Sequence, residues 1–254
     1  MESNNYHLLE QNEEEWFSLW CDRIFIDGNL ILFNESFKED PLFNRIYLRK
    51  KGVDAQRLAN FFEERGISGY FFLPPDKEEG LEEELKAQGL IKVDELRSMK
   101  LKSFLGKTKS EFKIVKTDLS NLEDWIKVYY LSFDIPDSWL PEIRRRLRIL
   151  IENPKVELLL AYGYKGVYGA MALYFTERII GIYCLGTLKR FRRIGVSSSL
   201  INYAYEKSIG KILCLQTLVS EGNESFYIKR GFETLYSKPI YSLKRTKLSQ
   251  ASRS

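Results

Sequence analysis

The chain has 254 residues, and 44% of them are hydrophobic, so it can form a core in one large domain or in two ordinary ones. Its 39 basic and 35 acidic residues give a formal charge of +4, which by itself predicts neither a nucleic-acid partner nor a membrane surface. The single histidine, His7, lies away from any motif, which argues against histidine-based triads and most zinc hydrolase sites.

The other composition features predict a protein of the reducing cytoplasm without a metal centre. Cys21, Cys184 and Cys214 are far apart and lack the spacing of a disulfide framework or a zinc cluster. The first sixteen residues are acidic and polar and do not resemble a signal peptide. The longest apolar stretch, 156–175, is interrupted by Lys165 and several glycines, so we expect no membrane span.

In the first half of the chain, apolar periodicity predicts a mixture of helices and strands. Helices are expected at 13–23, 55–65 and 80–88, and strands near 30–33, 45–49, 69–73 and 91–102.

The pattern is clearer in the second half, from about Glu111 onward. Helices are expected at 119–133, 139–152, 195–207 and 224–229, and strands at 112–115, 156–163, 168–175, 179–187, 212–219, 232–236 and 240–244. These elements predict an α/β (α+β) fold in which helices flank one sheet.

The two halves contain an internal repeat. The sequence Arg-Lys-Lys-Gly-Val at 49–53 matches Arg-Arg-Ile-Gly-Val at 192–196. Gly89-Leu90 matches Gly231-Phe232 at nearly the same distance downstream. Together the matches favour two copies of one fold.

A basic turn that follows the strand at 179–187 is the main candidate for chemistry. It reads Leu-Lys-Arg-Phe-Arg-Arg-Ile-Gly-Val-Ser-Ser-Ser from residue 188, and it opens a helix. The free N–H groups of a first helical turn, the helix dipole and nearby guanidinium groups all favour an anion such as pyrophosphate. From this segment alone, a solvated charge run before an ordinary capped helix is an equally good interpretation.

A second motif decides between these interpretations. Downstream, residues 220–232 read Ser-Glu-Gly-Asn-Glu-Ser-Phe-Tyr-Ile-Lys-Arg-Gly-Phe. With the basic turn, this segment resembles the GNAT N-acetyltransferase superfamily, from about Phe112 to Lys244. In that family an R/Q-x-x-G-x-G/A loop holds the coenzyme A pyrophosphate, and a tyrosine of the second motif lies near the thioester sulfur. Ser197 stands where the family usually has glycine or alanine.

The resemblance implies a set of site residues and a reaction. Acetyl-CoA would be the cosubstrate, no metal would take part, and a small-molecule or peptide primary amine would attack the acetyl group directly. Tyr227 would protonate the departing thiolate, and a backbone N–H near 185–187 would stabilise the oxyanion. The implied cofactor-binding residues are Leu185, Gly186, Thr187, Arg192, Arg193, Gly195, Val196, Ser197, Ser198 and Asn223.

The resemblance and the repeat together predict two tandem GNAT-like domains, each with a mixed, mostly antiparallel sheet flanked by helices. The first, 1–108, would be degenerate, because Asp54 stands at the position of Ser197 and Leu85 at that of Tyr227. Its expected role is to support the second domain and to wall one side of the acceptor cleft. The second, 109–246, would be catalytic, and 247–254 a flexible tail.

Several alternatives stay open. The strand at 179–187 contains no carboxylate, so Asp134, Asp137, Glu221 or a water chain would have to serve as general base. Cys184 is interpreted as a packing residue. A catalytically silent acyl-CoA-binding regulatory module is the alternative function. Nucleic-acid binding through the arginines of 144–148 is disfavoured, because that helix face is expected to be solvated. The oligomeric state is left open.

Overall fold

The architecture is described from a computed structural model, for residues 3–105 and 112–243 and for side chains from Tyr6 onward. The helices are α1 (Ser3–Ser18), α2 (Ala55–Glu63), α3 (Leu81–Ala87), α4 (Leu122–Ser132), α5 (Leu140–Glu152), α6 (Val196–Lys207) and α7 (Glu224–Ile228). The first-half strands are β1 (Asp22–Ile26), β2 (Asn29–Phe33), β3 (Arg45–Tyr47), β4 (Tyr70–Phe72) and β5 (Ile91–Leu101). The second-half strands are β6 (Lys113–Lys116), β7 (Val156–Gly163), β8 (Gly166–Phe175), β9 (Ile179–Thr187), β10 (Ile212–Leu218) and β11 (Phe232–Ser242).

All of these strands belong to one sheet, in the order β1-β2-β3-β4-β11-β5-β10-β9-β8-β7-β6. The β3–β4 and β9–β10 pairs are parallel, and the other neighbours are antiparallel. The fold is therefore α+β with a mixed, mostly antiparallel sheet, as the sequence predicts. The structure shows one continuous sheet and not two separate ones.

The two central strands are exchanged between the halves. β5 comes from the first half, but both of its neighbours, β10 and β11, come from the second. β11 comes from the second half, and both of its neighbours, β4 and β5, come from the first. Backbone hydrogen bonds thus join the halves along ten residue pairs, from Phe232 opposite Leu101 to Ser242 opposite Ile91.

Two sequence predictions are corrected. The first helix spans Ser3–Ser18 and not 13–23, because the chain turns at Asp27 and Gly28 and pairs β1 with β2 as a hairpin. Both turn residues have positive φ, of 50° and 78°, as a two-residue Asp-Gly hairpin requires. The strands expected at 232–236 and 240–244 form a single strand, β11, with a bulge after Thr234. Glu111, the 108/109 boundary, Lys244 and the 247–254 tail lie outside the described residues.

The core is divided by the sheet. On one face of the second half, α6 packs over β8 and β9. On the other face, α1, α4 and α5 share a large aromatic core with the loop between β2 and β3. Helices α2 and α3 cover the first half. No helix in the described part of the chain is long and apolar enough to cross a membrane.

A buried ionic network fixes α1 to both halves. The Glu13 carboxylate accepts hydrogen bonds from Arg45 Nη1 and Lys238 Nζ, both at 2.6 Å, and all three side chains are 0% exposed. Lys238 Nζ also donates to Glu10 Oε1 at 2.7 Å. Because Arg45 lies on β3 and Lys238 on β11, helix α1 connects strands from the two halves.

Candidate active site

The site begins where two parallel strands separate. β9 and β10 pair from Ile179 opposite Ile212 to Ile182 opposite Leu215. Beyond that point β9 pairs only with β8, and β10 pairs only with β5. The predicted residues Leu185, Gly186 and Thr187 therefore lie at the edge of a gap, with backbone groups on the β10 side that have no partner strand.

A bulge in β9 borders the same gap. The pairing with β8 shifts between Ala170 and Ala172, and Cys184 has a φ of 50°. A non-glycine residue with positive φ is uncommon and is often found at functional sites. Burial raises the pKa of the Cys184 thiol far above its usual range, so it is not a thiolate nucleophile near neutral pH.

The basic turn after β9 leads directly into α6. Arg193 and Gly195 have φ values of 67° and 97°, and α6 begins at Val196. Gly195 is the N-cap and supplies no side-chain cap. Among the described residues, no acceptor is recorded for the backbone N–H groups of Val196, Ser197 or Ser198. These donors suit an anion, because they lie at the positive end of the helix dipole.

Side-chain contacts hold this loop against the end of β9. Thr187 Oγ1 and Ser197 Oγ are 2.8 Å apart. Arg192 donates to the Thr187 carbonyl at 3.3 Å and to the Ser132 carbonyl at 3.4 Å. Val196 is buried, so only its backbone is available to a ligand. The structure thus brings the predicted residues of 185–187 and 192–198 together.

The second motif forms α7 and the turn before it. Tyr227 packs edge-on against Phe226 and Phe232, and burial with the nearby Glu221 charge raises the pKa of its phenol. It is therefore protonated near neutral pH, as a proton donor must be. Asn223 donates to Glu221 Oε2 at 3.3 Å.

Arg230 connects α7 with the first turn of α6. It donates to Ser198 Oγ through Nε and Nη2, at 3.2 and 2.8 Å. Burial lowers the pKa of Arg230. The two sequence motifs therefore lie side by side at one end of the gap.

Known proteins resemble the chain in structure and not in sequence. No protein-family profile matches it, and no curated protein matches it. A conserved protein of unknown function from Staphylococcus epidermidis is 16% identical with a TM-score of 0.69, covering 87% of this chain and 93% of its own. A GCN5-related N-acetyltransferase from Kribbella flavida is 13% identical with a TM-score of 0.65, covering 96% and 97%. Another, from Sphaerobacter thermophilus, is 11% identical with a TM-score of 0.57, covering 90% and 84%.

The chain has the GNAT fold. The resemblance inferred from the two motifs is confirmed at the level of the fold and extends across most of the chain. Within the GNAT fold of this chain, no group of three metal-ligating side chains is found among the described residues.

The first half contains a loop that corresponds to the loop before α6, but its backbone N–H groups already have hydrogen-bond acceptors. Gly52 has a φ of 77° and lies before α2, as Gly195 lies before α6. Here side chains of the protein itself hold the backbone donors. Lys51 N donates to Glu78 at 3.0 Å, Gly52 N to Glu84 at 2.8 Å, Ala55 N to Gln88 at 2.9 Å and Arg57 N to Asp54 at 3.0 Å.

A cavity of about 610 Å³ opens beside this first-half loop. Four of the cationic side chains that line it already have carboxylate partners: Arg23 pairs with Glu14, Arg49 with Asp76, Lys51 with Glu78 and Arg57 with Asp27, at 3.0 to 3.6 Å. This cavity therefore lies in the first half, whereas the free backbone donors lie in the second. The donors are the better guide to an anion site, because the first-half carboxylates would repel a phosphate.

The structure also ranks the possible bases. Asp134 pairs with Lys189 at 3.3 Å, and Asp137 accepts a hydrogen bond from Tyr130, so neither carboxylate is free. Glu221 is half-buried in the turn after β10, and this burial raises its pKa. Sequence analysis missed Asp40, whose pKa burial raises to about 6. In the sequence Asp40 precedes Pro41, and an Asp-Pro pair indicates a turn but not a functional carboxylate.

Proposed function

We propose that the chain is an acyl-CoA-dependent N-acyltransferase that transfers acetyl from acetyl-CoA to a primary amine by direct attack. The observation that carries the proposal is the free first turn of α6 beside the open end of β9 and β10. One loop thus offers donors for a pyrophosphate, and the adjoining strand offers unpaired backbone for an extended amide chain.

Each part of the site has one task in this proposal. Acetyl-CoA supplies the activated acyl thioester. Arg192, Arg193 and the backbone of 195–198 hold the pyrophosphate, and Leu185–Thr187 pair with the pantetheine amides. A backbone N–H of 185–187 donates to the carbonyl oxygen as it gains charge, and Tyr227 gives its proton to the leaving sulfur.

We further propose that the halves are two tandem GNAT-like domains, 1–108 and 109–246, and that the first is degenerate. In both halves a strand in a parallel pair leads to a positive-φ glycine and then to a helix. The first-half donors bind Glu78, Glu84, Gln88 and Asp54 in place of phosphate. Its role would then be to complete the sheet and to wall the acceptor cleft.

The site does not favour nucleic acid as a partner. Arg144 forms an ion pair with Glu123, and Arg145 and Arg146 both pair with Glu142, at 2.6 to 2.8 Å. These three guanidinium groups already have carboxylate partners, which disfavours phosphate binding on this helix face.

Calorimetric titration with acetyl-CoA, coenzyme A and ATP tests the proposal with a matched pair of variants. Gly195→Val places a strained residue with a β-branched side chain in the anion loop and should abolish binding of both coenzyme A ligands. Gly52→Val introduces the same strain in the first-half loop and should leave binding intact. Binding that survives in Gly195→Val, or is lost only in Gly52→Val, would overturn the assignment.

The alternative function, a silent acyl-CoA-binding regulatory module, is favoured by the lack of a carboxylate on β9. Release of free thiol from acetyl-CoA in the presence of amines separates the two functions. Saturable binding with no amine-dependent thiol release from any amine would favour the regulatory module.

A further inference from the structure

Arg230 reaches from the end of α7 to the first turn of α6. Nε and Nη2 of its guanidinium donate to Ser198 Oγ at 3.2 and 2.8 Å. Nη1 donates to the carbonyl of Phe226 at 2.7 Å, and Cζ lies 3.4 Å from the centroid of the Phe226 ring. Hydrogen bonds on two sides and an aromatic ring on a third therefore fix the position of this half-buried guanidinium.

The guanidinium of Arg230 has donors left after these contacts. An arginine side chain carries five N–H groups. Three of them are engaged here, two with Ser198 and one with Phe226. One N–H on Nη1 and one on Nη2 therefore have no acceptor recorded among the described residues. Two N–H groups on neighbouring nitrogens match the spacing of two oxygens of one phosphate group.

No carboxylate within the described part of the chain forms an ion pair with Arg230. Nine of the described arginines do form ion pairs with carboxylates. Of the six that do not, two lie elsewhere and four lie around the start of α6, namely Arg190, Arg192, Arg193 and Arg230. A half-buried cation without a counter-ion is costly. An anionic ligand at the start of α6 would remove this cost.

Arg230 lies beside the free backbone donors of α6. Ser198 provides the Oγ that Arg230 contacts, and its backbone N–H is one of the donors of 196–198 for which no acceptor is recorded among the described residues. Because this Oγ and this N–H belong to one residue, the guanidinium is close to that donor. Arg192 is engaged on the other side, where it donates to the Thr187 carbonyl at 3.3 Å. Arg230 therefore brings positive charge to the first turn of α6 from the side of α7.

We propose that Arg230 binds the pyrophosphate of the acyl-CoA donor, through one N–H on Nη1 and one on Nη2, opposite the backbone N–H groups of 196–198. This inference rests on the proposed acyl transfer, and it adds a further residue of the second motif to the cofactor site. The contact would make the pyrophosphate, and not only the thioester, a requirement for tight binding of the donor. The protein would therefore discriminate between coenzyme A thioesters and thioesters that lack a pyrophosphate.

The same contact would connect donor binding with Tyr227. The backbone N–H of Arg230 donates to the Tyr227 carbonyl at 2.9 Å, so both residues belong to one turn. Helix α7 has five residues and no fully buried side chain, so contacts such as those of Arg230 determine where it lies. A pyrophosphate bound by Arg230 would hold this turn against α6 while Tyr227 faces the sulfur. Arg230 is thus a binding residue that also positions the proposed proton donor.

The test is calorimetric titration of the full chain, at low and at high sodium chloride, with coenzyme A and with dephospho-coenzyme A, which keeps the pyrophosphate but lacks the ribose phosphate. Arg230→Met should weaken binding of both ligands about tenfold or more, because it removes charge-assisted hydrogen bonds. Its affinity should also fall less steeply with salt, because one cation fewer faces the ligand. Arg230→Lys keeps the charge and should recover part of both effects. Arg178→Met, at an exposed arginine before β9, is the matched control and should change neither.

The outcomes separate the two proposals. Failure of the wild type to bind either ligand would overturn the acyltransferase itself, whereas equal binding by wild type and Arg230→Met would overturn only the role of Arg230. Weaker binding with an unchanged salt dependence would indicate a purely structural role, and a loss confined to coenzyme A would indicate the ribose phosphate; either would refute the pyrophosphate contact. Should Arg230→Met fail to fold, phenylglyoxal labelling of the wild type replaces it. Coenzyme A should then protect Arg230 but not Arg178, and unchanged labelling of Arg230 would refute the inference.

Discussion

Lys238→Met should strongly destabilise the protein, because Lys238 is the cation that the two α1 carboxylates share. Its ammonium is fully buried and donates to Glu13 at 2.6 Å and to Glu10 at 2.7 Å. Methionine keeps a similar volume and removes the charge. Two buried carboxylates would then face a single guanidinium, that of Arg45.

The expected loss of unfolding free energy follows from this excess of buried negative charge. Removing one partner of a buried ion pair typically costs about 3–5 kcal/mol, because an uncompensated charge remains in the interior. With a urea slope near 3 kcal/mol per M, the unfolding midpoint should fall by about 1 to 2 M. The double variant Lys238→Met/Glu10→Gln should recover part of the loss, because it restores the balance of buried charges.

Urea unfolding followed by circular dichroism and tryptophan fluorescence measures the effect. Lys102→Met is the matched control: Lys102 pairs with Glu233 at 3.0 Å but its side chain is 71% exposed, so we expect a loss below about 0.5 kcal/mol. A Lys238→Met loss below about 1 kcal/mol, or one equal to that of the control, would refute the buried-charge argument.

Three further predictions concern the site. Tyr227→Phe should slow transfer about 100-fold with unchanged coenzyme A affinity, whereas Tyr164→Phe, at an exposed tyrosine, should alter neither in the thiol-release assay. The folded-state pKa of Asp40, about 6, exceeds its ordinary value of 3.8, so its stabilising contribution is full below pH 4 and is lost as pH rises through 6. Asp40→Asn should therefore gain up to about 3 kcal/mol of unfolding free energy over wild type between pH 4 and pH 8 in urea titrations, and a pH-independent difference would contradict this. Gly186→Ala should cost about 1–3 kcal/mol by the same method, since the new Cβ would lie 2.8 Å from Ser132 Cβ, and an unchanged midpoint would contradict the close packing.

Local signals in the sequence were sufficient for most elements of the second half and for the turn that precedes α6. A glycine before a helix, with basic residues around it, specifies its own geometry, and Gly195 has the positive φ that such a turn uses. Short runs of apolar residues bounded by turn residues likewise predicted β7 and β9 with the bounds that the structure shows. These features depend on residues close together in the chain.

Features that depend on distant pairing were not predicted. No periodicity in β5 or β11 indicates that each pairs only with the other half, because backbone hydrogen bonds carry little side-chain information. Asp40 was missed for a related reason, since its raised pKa comes from burial that exists only in the folded chain. Its unusual chemistry comes from burial and not from its sequence neighbours.

Because β5 and β11 are exchanged, each half supplies a central strand to the part of the sheet that the other half forms. A fragment of residues 3–105 would present β4 and β5 without the strand that lies between them, and a fragment of 112–243 would lack the strand between β10 and β11. Such open strand edges associate readily. Neither fragment should fold alone, whereas the two produced together as separate chains should recombine into one sheet, with the covalent link between them dispensable.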